Sequence, residues 1–350
     1  MSKLRFRIDR RYLPVVVTVG LFVGTYVIAA LKYPGLGTPQ VFFNLLIDNA
    51  FLIISAIGMT FVILSGGIDL SVASVIALTT VVSAALVEKW NVSPFLAIPL
   101  VLLMGTALGA FQGSVIQFFK VPPFIATLAG MFFARGMCFV ISINTIPITH
   151  PVYKAISLFQ LHLPGNGFIS LNVVIALIVL GVAIYLAHAT PFGRTVYAIG
   201  GNEQSALLMG LPVARTKVLI YTLNGFCSAL AGVVYSFYVL SGHGLYANGF
   251  ELDIIASVVM GGTLLSGGSG YILGTLFGVL IQGLIQVIII FDGTLNSWWT
   301  KIVVGLLTLF FILMQKVLTA RRRPQPADSE TNQATRFDGS KSVSVNGLHR

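Results

Sequence analysis

Long apolar runs alternate along this chain with short breaks rich in glycine, proline and charge. A helix needs about 20 mostly apolar residues to cross the hydrocarbon core of a bilayer. Such windows follow one another at residues 12–31, 42–64, 68–87, 95–118, 122–142, 171–188, 216–240, 250–267, 270–291 and 300–318. The pattern predicts an all-α polytopic fold with ten transmembrane helices. The least regular boundary is "LSGGIDLS" (64–71), where Gly66, Gly67 and Asp69 interrupt two apolar runs. Both flanking spans can be broken or re-entrant there.

Composition supports a bilayer as the solvent. The chain has 350 residues, of which 56% are hydrophobic and 9% charged, whereas soluble domains carry about 25% charged residues. The net charge of +10 does not point to nucleic acid, because of where it sits. Lys3, Arg5, Arg7, Arg10 and Arg11 precede the first run, and Lys316, Arg321, Arg322 and Arg323 follow the last. With an even number of spans, this positive-inside pattern places both termini in the cytoplasm. Lys120, Arg194, Arg215 and Lys217 then fall inside, and Lys32, Lys89, Lys154 and Lys301 outside. Tyr33, Trp90, Trp298 and Trp299 become outer aromatic anchors.

Three segments follow: a basic N-terminus (1–11), a membrane domain (12–320) and a C-terminal tail (321–350). The tail is polar and poor in apolar residues, so it is expected to be disordered. The N-terminus resembles a signal peptide, but the run of spans behind it favours an uncleaved first helix. Cys138 and Cys227 lie in apolar windows and read as small buried hydrophobes. His150, His162, His188, His243 and His349 are scattered and lack metal-ligand spacing.

Two internal echoes stand out. "GTALGAFQG" (105–113) and "GTLFGVLIQG" (274–283) share Gly-Thr-x-x-Gly, in spans of opposite direction. That is the form of an inverted repeat. "GGIDLS" also resembles "GGTLLS" (261–266), at a different offset, so both pairs cannot belong to one simple repeat. Small residues recur in membrane helices in any case.

The segment 189–217, "ATPFGRTVYAIGGNEQSALLMGLPVARTK", is the most informative polar connection. Gly200-Gly201 is expected to break the chain. Asn202 can cap a short helix, and Glu203 suits its positive end. Gly210 followed by Pro212 supplies a stop. Ala206, Leu207 and Met209 would give this helix an apolar face that needs a partner, a bilayer surface or its own bundle.

"FGRTVYAIGGNEQSALLMGLPVARTK" resembles the coupling loop of sugar ABC-importer permeases of the ribose and galactose type, and "GMTFVILSGGIDLSVASV" resembles a second signature of that family. The similarity covers about residues 12–318. Within the family, "IDNAFLIISAIGMTFVILSGGIDLS", "ELDIIASVVMGGTLLSGG" and "FDGTLNSWWTKI" most resemble one permease subunit of the galactofuranose importer. The resemblance implies an inner-membrane subunit that pairs with a second permease, related or identical. It also implies a cytoplasmic ATP-binding subunit, a periplasmic sugar-binding protein and a setting of membrane lipid. Arg194, Gly200, Gly201, Asn202, Glu203, Ala206 and Gly210 would couple to the ATPase, with Glu203 meeting a basic group there. ATP and magnesium would be bound by that partner. In agreement, this chain has no G-x-x-x-x-G-K-[ST] phosphate loop.

A path for a neutral, hydroxyl-rich sugar needs amides, hydroxyls and aromatic walls more than charge. Asn49, Thr60, Gln112, Gln117, Asn224, Gln282 and Gln286 are the polar candidates within spans, and Gln282 and Gln286 are four apart on one helix face. Each can equally form an interhelical hydrogen bond. Phe124 is an aromatic candidate. Gly66, Gly67 and Asp69 are candidates for a gate, with Asp69 also placed to cap the following helix. Arg135, inside a span, needs an outer end or a carboxylate partner. A proton- or ion-coupled carrier is the competing class, but carriers keep several intramembrane ionisable groups, and here only Asp69, with Asp48, Glu251 and Asp253 near span ends, can qualify. No nucleophile–base pair marks an enzyme.

Overall fold

A computed structural model describes residues 13–163, 167–294, 296 and 298–320. The basic N-terminal cluster, Arg321 to Arg323 and the C-terminal tail lie outside the described residues. The helices are α1 (Leu13–Lys32), α2 (Pro39–Asp48), α3 (Ala50–Leu64), α4 (Val72–Ala84), α5 (Pro94–Phe118), α6 (Pro123–Ile141), α7 (Pro151–Ser157), α8 (Leu171–Ala189), α9 (Pro191–Gly201), α10 (Glu203–Leu208), α11 (Val213–Val239), α12 (Phe250–Met260), α13 (Ile272–Asp292) and α14 (Trp298–Ala320). A π-helical turn, Ala85–Lys89, extends α4. Between α6 and α8 lies a small antiparallel hairpin of β2 (Gln160–Leu163) and β3 (Gly167–Ser170); β1 (Ile146–Pro147) pairs with β4 (Ser241–Gly242) after α11. The chain divides into two compact units, one ending at Ile312 and one beginning at Leu313.

The fold is all-α and polytopic, but the expected ten spans are not all present. Among the described residues, eight helices are long and apolar enough to cross a membrane, or nine with the bent pair α2–α3. The expected span 42–64 is that pair, bent by 55° at Asn49. The expected span 250–267 is the 11-residue α12 followed by a turn. At about 1.5 Å per residue it covers roughly half of the ~30 Å hydrocarbon core. It ends in a local Schellman stop, with Gly262 at φ +92° and its N–H bonding Val259 O at 2.9 Å while Thr263 N–H bonds Val258 O at 3.3 Å, and there an added Cβ on Gly261 would lie 2.6 Å from the Gly274 carbonyl carbon.

Helices that are apolar all round divide into two kinds. Every residue of α3 is buried, and nearly every residue of α4. α11 packs against both and against α5. α1, α5, α6 and α8 instead expose Leu31, Phe95, Phe132, Ile178 and similar side chains, as a lipid-facing shell does. The α5–α11 contact explains the Gly-Thr-x-x-Gly run. Gly105, Gly109 and Gly113 present one bare face to α11, where a Cβ on Gly109 would overlap the Tyr221 carbonyl and one on Gly105 would sit 2.9 Å from Gly225 O. Gly274 and Gly278 do the same against α12. Close backbone approach of this kind is how helices associate where no hydrophobic force separates them from lipid.

Candidate functional site

The break between α3 and α4 holds the most deeply buried carboxylate. Asp69 is 2% exposed. Its Oδ1 accepts from the Ser71 backbone N–H at 2.8 Å and from Ser71 Oγ at 2.7 Å. Its Oδ2 accepts from Asn224 Nδ2 of α11 at 2.7 Å. The expected cap therefore shifts: Ser71 is the N-cap of α4, and Asp69 grips Ser71 from two residues upstream. Ser71 Oγ also lies 3.1 Å from Gln112 Oε1 of α5, and Leu70 N–H donates to Thr127 Oγ1 of α6 at 3.2 Å. One carboxylate thus ties the break to α4 and α11, and its neighbours tie it to α5 and α6. Glycines make the room. A Cβ on Gly58 would come within 2.6 Å of Asn224 Oδ1, and one on Gly67 within 2.5 Å of Tyr221 Oη. Asn224 Oδ1 and Tyr221 Oη are buried without a hydrogen-bond partner.

The second region is the connection between α8 and α11. The expected break at Gly200-Gly201 is instead the last turn of a full helix, α9. Thr190 caps it, accepting from Gly193 N–H at 3.3 Å, and Pro191 opens its first turn. "TPFGR" carried that signal. α10 behaves as expected. Asn202 Oδ1 accepts from Ser205 N–H at 2.8 Å. At the other end Leu211 N–H bonds Ala206 O at 3.1 Å and Gly210 N–H bonds Leu207 O at 2.9 Å. With Gly210 at φ +74°, this is a Schellman stop.

Two details of the expected coupling surface change. Ala206 is fully buried against Ile199 and Val213, so it fixes α10 to its own bundle. The outward apolar face is Leu207, Leu208 and Met209, with Leu208 90% exposed. Glu203 already has a basic partner, since both its oxygens lie 2.7 Å from Lys217 Nζ on α11. Arg194 and Gly201 are exposed.

The two regions touch. Gly268 N–H donates to Leu64 O at 2.9 Å, and the Gly200 Cα is so close to both groups that a Cβ there would overlap them. Tyr197 Oη of α9 donates to Gly270 O at 2.8 Å. Burial, and then the neighbouring Tyr271, push the Tyr197 phenol up to about 12, so it keeps its proton at neutral pH.

The other candidates scatter. Asn49 sits at the α2–α3 bend, donating to Leu45 O at 2.8 Å and packing over Gly283. Gln282 accepts from Ser257 Oγ of α12 at 2.5 Å, whereas Gln286 is exposed. A single turn separates packing from surface, and the two do not act as a pair. Phe124 is half exposed on α6. Arg135 donates to Gly244 O at 2.5 Å and Tyr246 O at 2.9 Å, so of its two expected settings it takes neither a bonded carboxylate nor open solvent, but a pair of backbone carbonyls. Among the described residues no His, Cys, Asp and Glu cluster has metal-binding geometry.

The family model described as branched-chain amino acid transport system / permease component matches residues 41–312. The chain belongs to this family. It is 54% identical over 310 residues to the inner membrane ABC transporter permease protein YjfF of Escherichia coli K12, covering 89% of this chain and 94% of that one. It is 38% identical to the fructose import permease protein FruG of Bifidobacterium longum, covering 91% and 95%. It is 39% identical to the ribose import permease protein RbsC of Bacillus subtilis, covering 86% and 92%. No solved structure matches it significantly. The chain is thus a multi-pass permease subunit of an ABC transporter in the inner membrane, and ATP hydrolysis belongs to a separate subunit.

Proposed function

We propose that this permease imports a monosaccharide, with galactofuranose as the substrate. The family description names amino acids, but the relatives with a named cargo carry fructose and ribose. The resemblance of "ELDIIASVVMGGTLLSGG" and "FDGTLNSWWTKI" to a galactofuranose-importer permease supports galactofuranose within the sugars. The chain works with a periplasmic sugar-binding protein, a second permease subunit and an ATPase that carries ATP and magnesium. α9 and α10 face the cytoplasm, and so do both termini, with α12 and the turn after it together making the tenth crossing.

The observation that carries this reading is the face of α10. Leu207, Leu208 and Met209 are exposed on a helix capped at both ends and pinned from behind by Ala206. A held apolar face is a fit for a groove on a soluble partner. Gln286 and Phe124, exposed on α13 and α6, become path residues only where a second permease closes the space.

Reconstituted vesicles test it. This chain alone should take up no galactose. Adding the partner permease, the ATPase and the binding protein should give ATP-dependent uptake, with the furanose form as the bound species. Uptake driven by a proton gradient without the ATPase overturns the proposal, and ATP-dependent uptake of ribose but not galactose overturns the substrate.

A further inference from the structure

Glycines from three Gly-Gly pairs in distant parts of the chain meet at one point. Gly66-Gly67 follow α3, Gly200-Gly201 end α9, and Gly267-Gly268 lie in the turn between α12 and α13. A Cβ on Gly267 would stand 2.7 Å from Gly66 N and 3.0 Å from Gly200 Cα, and one on Gly268 would stand 2.8 Å from Gly201 N. Gly66, Gly267 and Gly268 have φ of +80°, +82° and +75°, a region open to glycine at little cost. The Leu64 carbonyl is one of the last in α3, where the helix supplies no partner. It takes its hydrogen bond from Gly268 N–H, across the joint.

We propose that this backbone joint is the coupling element of the permease: it makes α9–α10, the Asp69 break and the 261–271 turn move as one body. The argument is mechanical. Side chains can absorb a small displacement by changing rotamer, whereas backbone against backbone at van der Waals contact has no such slack. α10 follows α9 after the single residue Asn202 and is pinned by Ala206. A push on Leu207, Leu208 and Met209 therefore reaches Gly200. From there it passes to Leu64 and Gly66 on one side and to Gly267, Gly268 and Gly270 on the other. Two residues beyond Gly67, Asp69 grips α11 through Asn224, and the opposite turn leads directly into α13. Both interrupted helices thus share one fulcrum, and the hydrogen bond from Tyr197 to Gly270 O keeps α9 seated on it. This deepens the proposed function and rests on α10 docking the ATPase. Gly200, Gly268 and Tyr197 are positioning residues that touch neither nucleotide nor sugar.

The test uses the complete transporter in vesicles and reads three quantities separately: ATPase retained on purification, ATP hydrolysed, and galactose taken up per ATP. Gly200→Ala should retain the ATPase and hydrolyse ATP, while uptake per ATP falls about tenfold or more, within the usual range of coupling between sites. Tyr197→Phe, which removes one hydrogen bond and no bulk, should lower uptake per ATP about twofold to fivefold. Gly181→Ala in α8, where a Cβ meets nothing within 4 Å, should stay within about twofold of the parent. An assembled Gly200→Ala complex with the parent's uptake per ATP overturns the joint, as does an equal loss in Gly181→Ala. If Gly200→Ala fails to assemble, Tyr197→Phe decides: parental uptake per ATP overturns the joint, and reduced uptake at normal hydrolysis supports it. Failure of the docking reading shows differently, as an ATPase that stays bound when Leu208 is made charged.

Discussion

Asn224, in the middle of α11, donates a hydrogen bond from Nδ2 to Asp69 Oδ2 at 2.7 Å, across 155 positions of sequence. That bond fixes the break between α3 and α4 to the helix that also packs on α5. With Ser71 filling Oδ1, the carboxylate is solvated by neutral donors alone in its hydrogen bonds. A carboxyl group held at both oxygens this way is fixed in place.

Asp69→Asn should assemble and retain part of its transport. Its oxygen can still take Ser71, and its NH2 can face Asn224 once the Asn224 amide turns its buried, unpartnered Oδ1 toward it. Asp69→Leu leaves the Ser71 N–H and the Asn224 NH2 without an acceptor, at about 1–3 kcal/mol for each buried group. It should lose both assembly and uptake. Melting of the purified complex and vesicle uptake check this, and full transport by the leucine variant would exclude the clamp.

Asn224→Leu should be as damaging as Asp69→Leu, because removing one partner strands the other. The exchange Asp69→Asn with Asn224→Asp should recover more uptake than the Asn224→Asp single variant, in which two carboxylates face each other. A double-mutant cycle on melting temperature measures the coupling, and additive effects would show that the two side chains act separately.

Leu208→Asp should fold normally and lose the ATPase. Leu208 is 90% exposed, so charge there disturbs no packing within the chain. Co-purification of the ATPase should fall at least about tenfold, since apolar anchors dominate such contacts. An unchanged yield of complex would remove α10 as the docking helix.

Glu203→Gln should change little. Its ion pair with Lys217 is partly exposed, with 41% of the Glu203 side chain accessible, and such pairs contribute about 0–1 kcal/mol. Hydrolysis and uptake within about twofold of the parent fit that magnitude. A larger loss, with the permease still folded, would mean that the carboxylate also meets the ATPase.

Gly109→Leu should destabilise the bundle, because the Gly109 Cα lies against the Tyr221 carbonyl with no space for a side chain. Overpacking of this kind costs about 1–3 kcal/mol or more. Gly136→Leu, in open space on α6, is the control. Equal melting temperatures for the two variants would contradict the close α5–α11 contact.

The chain's own pattern was enough for the class of fold, for the spans with an unbroken apolar run, and for α10, whose Asn202 cap and Gly210 stop are local chemistry. Resemblance in the loop and around "GGIDLS" was enough for the family. Both rest on interactions between residues close in sequence, or on bulk hydrophobicity, which a linear reading captures. Tertiary structure decided the rest. The inward turn of Ala206 depends on Ile199 and Val213, and the capture of Glu203 depends on Lys217. The meeting of Gly66, Gly200 and Gly268 has no signature in any one segment, because a glycine shows by itself only that space is wanted. What fills that space is another stretch of backbone, and only the folded chain brings it there.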